Sequence, residues 1–524
     1  MLSAQEVSAH STRESCWVII AGQVYDLTEF LEEHPGGSAI ILRYAGQDAT
    51  QVYEEIHPPT ALEDNIPQEK RLGPVDLATV KQPEATPAKT PVQTKSNELP
   101  SLSTIISLED FENVGRERLS KKAWAYFFSG ATDMTSLALN RSSWNSILFV
   151  PRVMVDVTQV DTSTTIAGEF ASLPVIIAPT GMSKLSHPMG EMGFAEGAGL
   201  EKIPFTVSTN ASAGLDQIVA ARGSDAMTLL FQLYVNKDRP KSTALLQRIA
   251  SYKTDAGVRL FKAIVVTVDC PAPGKREPDE RVKAEVDLEL GVTGAQAAAP
   301  DAKGGGIGRA MGGFIDPKVT WADIAWIREQ VRPVLTSSSS SSSSASASVT
   351  ASASSTPSIP IGVKGIQCVA DALLAIHHGA QIIWLSNHGG RGLDTAPPAL
   401  YVLAELRRDH PWVFQHRDAG GRQVEFYIDG GVRRGTDIVK ALCLGARAVV
   451  MGRPFLYALQ WGTQGVRHAV DILRDEMETT MRLIGATKVS DLGPHLLNVK
   501  ALQPLLNDPI PVPPEIQPAV KARL

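Results

Sequence analysis

The run Ser386-Asn387-His388-Gly389-Gly390-Arg391 places an imidazole and a guanidinium three residues apart on a glycine-rich bend. A neutral imidazole accepts a proton near pH 7, and the planar fork of an arginine matches a carboxylate. Tyr234, Asp269 and Lys364 stand at or near the ends of other β-branched runs. If those ends share one face, a base, its orienting carboxylate, a fixed cation and a phenol converge. A second set seeks an anion. In Asp429-Gly430-Gly431-Val432-Arg433 and in Met451-Gly452-Arg453-Pro454, glycines let backbone N–H groups approach a phosphate and arginines add charge. His34-Pro35-Gly36-Gly37 and His57-Pro58 each set an imidazole beside a proline bend. Each motif alone has a plain structural reading, since glycines tighten turns and a histidine at a strand end can serve only as a hydrogen-bonding group. Convergence from several strand ends separates an active site from such accidents.

The elements that must position these groups are visible between residues 102 and 505. Eight short runs rich in β-branched residues occupy 175–180, 204–209, 229–234, 263–269, 360–365, 382–389, 425–431 and 448–454. Helix-like stretches such as 214–222, 240–251, 367–379 and 435–445 lie between them. Strand then helix, eight times, predicts an α/β fold, a closed (β/α)8 TIM barrel whose strand ends form the catalytic face. Nearly continuous apolar strands fit parallel strands buried on both faces. An open doubly wound sheet is the rival, but Thr180-Gly181-Met182 follows the first strand where a G-x-G-x-x-G loop would be expected. In a barrel the loops after strands seven and eight hold phosphate, and those loops carry the two Gly-Arg motifs.

Composition divides the rest. Residues 1–75 form a small aromatic-bearing α+β domain, in which Cys16 to Phe30 reads as a strand pair leading into a helix. Residues 76–100 have a linker composition, 101–500 form the barrel, 336–358 are a Ser/Ala tract expected to be a disordered insertion, and 501–524 a Pro-rich extended tail. The balance of 50 basic against 56 acidic residues leaves a net charge of −6 without a basic footprint, which argues against a nucleic-acid partner. No apolar run approaches the ~20 residues a membrane span needs. Cys16, Cys270, Cys368 and Cys443 show no C-x-x-C pairing, so they read as thiols of a reducing, intracellular compartment rather than a disulfide frame.

The pattern from Cys16 through the His-Pro-Gly-Gly turn to His57 resembles the cytochrome b5 family over residues 3–75. That resemblance implies haem b with His34 and His57 as axial ligands, which leaves no open position for oxygen and makes the haem an electron carrier. Residues 102 to about 500 resemble the FMN-dependent α-hydroxy-acid dehydrogenase and oxidase family through AWAYFFSGATD (123–133), FQLYVNKDR, TVDCPAPGKRE, GVKG, SNHGGRGLD, DGGVRRGTD and GRPFLYA. By that resemblance His388 is the active-site base and Asp269 orients it. Arg276 and Arg391 hold the substrate carboxylate, Tyr126 and Tyr234 hydrogen-bond the substrate, and Lys364 supports the anionic reduced flavin. Ala178, Pro179, Thr180, Gly181, Ser208, Gln232 and Thr267 hold the flavin ring. Asp429, Gly430, Gly431, Val432, Arg433, Gly452 and Arg453 bind its phosphate.

The implied reaction oxidises an L-2-hydroxy acid, L-lactate to pyruvate first among them, and passes electrons through haem b to a cytochrome c-like acceptor. An alternative is an oxidase that gives hydrogen peroxide, acting on a larger or different 2-hydroxy acid. A haem carrier on a decayed barrel is disfavoured by the intact His388, Arg391, Asp269 and Lys364 set. Gly181 and Asn210 depart from lactate-selective relatives and predict a roomier, more polar pocket. Lys283 is a candidate contact for a haem propionate. A homotetramer is implied by the family. The tail Ala522-Arg523-Leu524 allows a peroxisomal as well as a cytoplasmic location, and the mitochondrial intermembrane space that the family implies lacks a matching Arg-rich presequence.

Overall fold

The computed structural model describes residues 2–31, 34, 38–50, 53, 62, 65–76, 99–223, 227–282, 290–293, 306–332 and 358–509. It divides into two compact units, Met1–Glu98 and Leu99–Leu524. His57, Lys283, nearly all of the Ser/Ala tract and the last part of the tail lie outside the described residues. No helix among the described residues is long and apolar enough to cross a membrane.

In the first unit β1 (Ser11–Thr12), β2 (Ser15–Ile20), β3 (Gln23–Asp26) and β4 (Arg71–Pro74) form an antiparallel sheet in that order. Residues alternate across β2, as a period of two requires. Cys16, Val18 and Ile20 join Leu27, Leu31, Ala45, Ala49 and Ile66 in one cluster, while Ile19 packs with Val7, Val24 and Val75 in another. Ala21 and Gly22, at φ 49° and 75°, make the two-residue hairpin whose twist matches its strands. Where a helix is expected after this pair, the described residues show a 3-10 turn, Glu29–Leu31, in which Leu31 is buried, and His34 N donates to the Phe30 carbonyl at 3.1 Å.

The second unit is a closed parallel barrel: β5 (Val175–Ile177), β6 (Phe205–Ser208), β7 (Leu229–Leu233), β8 (Phe261–Thr267), β9 (Ile361–Ile366), β10 (Ile382–Leu385), β11 (Glu425–Asp429) and β12 (Ala448–Met451), with β12 paired back to β5. Each falls within or within two residues of an expected run. Ile176, Leu230, Val265, Trp384, Tyr427 and Val450 fill the interior. Their neighbours in sequence pack outward against the helices. A hairpin, Thr164–Ile166 with Glu169–Ala171, adds Ile166 and Ala171 to that interior cluster. The core continues past residue 500. Leu502 is fully buried, and Asn507 donates from N and Nδ2 to Glu405 at 2.8 and 3.0 Å, so this part of the tail lies on its own barrel.

One buried carboxylate ties two catalytic-face loops together. Glu191, at the start of the helix Glu191–Glu201, accepts from Ser183 N (3.1 Å), Ser212 N (3.0 Å), Ser212 Oγ (2.8 Å) and Ala213 N (3.0 Å). Those donors follow β5 and β6. Replacing Glu191 with alanine strands them without water, and stability falls by about 2–3 kcal/mol. The check is the urea midpoint of the variant against the parent, where an unchanged midpoint counts against this account.

Candidate active site

At the C-terminal ends of the strands a cavity is lined by Tyr126, Tyr234, Arg276, Lys364, His388 and Arg391, among others. Asp269, fully buried behind the wall, accepts from His388 Nδ1 at 2.9 Å. With the ring proton held there, the lone pair lies on Nε2, which stands 3.4 Å from the Tyr234 hydroxyl. His388 itself sits at φ 59° and Gly390 at φ 76°, where an added Cβ would stand 2.7 Å from Leu137 N. The bend is clamped by a reciprocal amide pair, Asn140 Nδ2 to Asn387 Oδ1 at 2.8 Å and Asn387 Nδ2 to Asn140 Oδ1 at 2.9 Å. Non-glycine backbone strain of this kind persists only where its surroundings over-determine it.

Burial holds the His388 pKa below the ordinary histidine value, and Lys364 and Arg276 push the same way against the pull of Asp269. Asp269 stays ionised: burial opposes its charge, but His388 and Lys364 outweigh that and hold its pKa down. The imidazole is therefore neutral at pH 7 and free to accept. Activity that needs this neutral form is lost as pH falls through the depressed pKa, so the acid limb of kcat/KM lies below about pH 6.5. Lys364→Met removes one depressing cation and moves that limb to higher pH, a shift read from the position of the profile and independent of its height. A limb that stays put contradicts the assignment of the base.

Arg276 and Arg391 face the same space. Arg391 Nη1 donates to the carbonyls of Tyr126 (2.7 Å) and Phe127 (3.0 Å), and Arg276 Nε to the Arg391 carbonyl (3.4 Å). Burial, then Arg276, pushes Arg391 down to about 9. Among the described residues neither guanidinium makes an ion pair with a carboxylate. Two cations at the cavity wall, neither ion-paired among the described residues, make a receptor for a small carboxylate.

The residues expected to hold a flavin fit an anionic, flat cofactor. Arg453 spends three donors on the carbonyls of Phe127, Gly389 and Ser129, and burial, then Tyr457 and Arg433 acting in opposite senses, leaves it at about 10. Arg433 pairs with Glu112 at 3.0 Å, yet its Nε is buried without a partner, as is Asp429 Oδ1. Gly431, at φ 76°, has no room for a Cβ, which would stand 1.9 Å from the Asn140 carbonyl. Gly430, Val432 and Gly452 complete this lining. The unspent Arg433 Nε donor and the glycine backbone suit a phosphate, while Asp429 Oδ1, an acceptor, suits a hydroxyl. Ala178, Pro179, Thr180 and Gly181 line the wall beside it. Along the next strands Ser208 Oγ donates to Gln232 Oε1 (3.2 Å) and Gln232 Nε2 to Thr267 Oγ1 (2.9 Å). Lys364 Nζ lies 3.2 Å from Asp429 and 2.9 Å from Ser386 Oγ. Burial works against its charge, but Asp429 and Asp269 raise its pKa.

In the other unit His34 follows the Glu29–Leu31 turn, with its ring edge-on to Phe30 at 5.8 Å, beside the apolar cluster that Cys16, Val18 and Leu31 build. An imidazole beside an apolar cluster has the chemistry haem requires.

Several residues that shape the site carry no sequence signal. Asn140, Glu191 and Asp394 act on partners far along the chain, Asp394 by accepting from Thr132 Oγ1 and Ser136 N at 2.9 Å each. The roomier pocket expected from Gly181 is corrected: a Cβ there would meet Met311 Cε at 2.9 Å and Asn210 Cβ at 3.0 Å, so the thioether and the amide already occupy the space. Met311 also accepts from the Tyr126 hydroxyl at 3.7 Å. Asn210 is buried with Oδ1 unpartnered, which adds polarity to that wall.

Comparison with known proteins agrees with this geometry. The family model "FMN-dependent dehydrogenase" matches residues 115–337 and 335–499, and "Cytochrome b5-like Heme/Steroid binding domain" matches 3–76. The L-lactate dehydrogenase (cytochrome) of Wickerhamomyces anomalus is 39% identical over 514 residues, covering 98% of this chain and 82% of the relative. Its counterpart in Saccharomyces cerevisiae is 37% identical over 514 residues, covering 96% and 80%. Among solved structures, a double mutant of flavocytochrome b2 with pyruvate bound aligns with a TM-score of 0.63 at 36% identity, covering 81% of this chain and 93% of that one.

Proposed function

The chain belongs to the FMN-dependent dehydrogenase family and carries a cytochrome b5-like domain ahead of its barrel, and from that membership we propose that it oxidises an L-2-hydroxy acid, with L-lactate to pyruvate as the leading case. When bound, FMN takes the electron pair from the substrate and haem b relays single electrons to a cytochrome c-like acceptor. Arg391 and Arg276 bind the substrate carboxylate, which fixes the hydroxyl-bearing carbon against the mouth of the cavity. Tyr234 and Tyr126 hydrogen-bond the substrate oxygens. His388 Nε2 receives a proton that the substrate gives up, and Asp269 stabilises the imidazolium that results. Ala178, Pro179, Thr180, Gly181, Ser208, Gln232 and Thr267 would hold the flavin ring, and the Lys364 cation would favour its anionic reduced form. Asp429 to Arg433 with Gly452 and Arg453 would hold the phosphate. His34 and His57 would hold the haem iron, which would supply single-electron transfer.

The observation that carries this reading is the oriented His388–Asp269 pair facing two arginines that, among the described residues, lack a carboxylate partner. The test is stoichiometry under aerobic turnover: each pyruvate formed should accompany a pair of cytochrome c molecules reduced. Hydrogen peroxide in equal amount to the oxo acid, with cytochrome c left oxidised, would make the protein an oxidase instead. The functional unit is a homotetramer; Val153 and Met154, almost fully exposed, together with Leu483 supply apolar surface for self-association.

A further inference from the structure

Beside the base lies a side chain with no part in the account above. Cys270 follows Asp269 and is buried at the cavity wall, with Sγ 3.2 Å from His388 Nδ1 and 3.5 Å from Asp269 Oδ1. Nδ1 and Oδ1 are themselves 2.9 Å apart. Among the described residues this is the one group of three His, Cys, Asp or Glu side chains whose ligand atoms all gather within 4.8 Å.

A tetrahedral zinc ion, at about 2.3 Å from sulfur and about 2.0–2.1 Å from nitrogen and oxygen, holds such donors about 3.4–3.6 Å apart. The three atoms here reach that triangle by spreading a few tenths of an ångström. Thiolate, imidazole and carboxylate together suit zinc or cadmium, whereas magnesium and calcium take oxygen ligands. Two anionic ligands neutralise a dication; because Asp269 is ionised beforehand and only the thiol proton leaves, the local charge rises by one, from −1 to 0, beside Arg276 and Lys364. Three protein ligands leave a fourth position for water, and Cys270 and His388 both line the cavity through which an ion would enter.

We propose that Asp269, Cys270 and His388 form a site for a thiophilic divalent cation, zinc or cadmium, whose binding switches the enzyme off. The Cys270 S–H bond breaks, a sulfur–metal bond forms, and one proton leaves to solvent; no oxidant or reductant takes part. His388 gives its Nδ1 lone pair to the metal, so the proton of the neutral ring moves to Nε2. Nε2 is then a donor and accepts nothing. This inhibitory step rests on the reading of His388 as the base, while occupancy of the site does not.

The holoenzyme, freed of chelators, is titrated with cadmium or zinc chloride. A thiolate-to-cadmium band should rise in the ultraviolet difference spectrum as oxidation of the 2-hydroxy acid falls, and EDTA should reverse both. In Cys270→Ala and in Cys270→Ser the band should be missing. The concentration giving half-inhibition, taken against each variant's own metal-free rate, should rise about 10- to 100-fold. No thiolate band in the parent protein, or equal half-inhibition in parent and both variants, overturns the site. A band that grows while the rate holds leaves the site standing and overturns His388 as the base.

Discussion

Replacing His388 with glutamine slows reduction of the flavin by the 2-hydroxy acid about 10³- to 10⁴-fold, the upper range for removal of a positioned proton acceptor. Glutamine keeps polarity and approximate volume but offers no basic lone pair. The loss falls on kcat rather than on KM, because Arg276 and Arg391, which hold the carboxylate, are untouched. Asp269→Asn produces a smaller loss for a different reason. An amide at the Asp269 position cannot hold the Nδ1 proton 2.9 Å away as a carboxylate does, so the ring samples the wrong tautomer. Stopped-flow reduction under anaerobic conditions checks both variants. A His388→Gln enzyme within tenfold of the parent contradicts the role given to this residue.

The second large effect separates the two units. His34→Ala removes an imidazole ligand, and the low-spin haem spectrum should disappear with it. Reduction of cytochrome c then falls at least about a hundredfold, while reduction of a small acceptor that takes electrons directly from the flavin persists. The selective loss is the informative part. A variant that still reduces cytochrome c at the parent rate shows that electrons bypass the haem.

Much of this arrangement is legible in the residues themselves, for identifiable reasons. The barrel strands are buried on both faces, so runs such as Ile382–Leu385 and Ala448–Met451 stand out as uninterrupted apolar stretches. Their ends are less legible. The run beginning at Ile382 reads on through residue 389, but the strand stops at Leu385, and the backbone takes positive φ from His388 to Gly390. His388, Arg391 and the Gly-Arg loops announce themselves by type and spacing.

Groups that act across long separations in sequence do not. Asn140 and Asn387 lie 247 residues apart, and no local pattern in either segment predicts their reciprocal amide pair. Met311 illustrates the same limit from the other side. The glycine at position 181 predicts space, yet a thioether from a segment 130 residues away fills it. In the first unit, alternation along β2 is plain, whereas His57 lies outside the described residues.

The most direct measurement is a visible spectrum of the purified holoprotein without oxygen, recorded before and after L-lactate is added. The flavin should bleach, and the haem bands should sharpen to their reduced form within seconds; His388→Gln should hold both back. A flavin that bleaches while the haem stays oxidised, or neither chromophore responding to any L-2-hydroxy acid, would contradict the account.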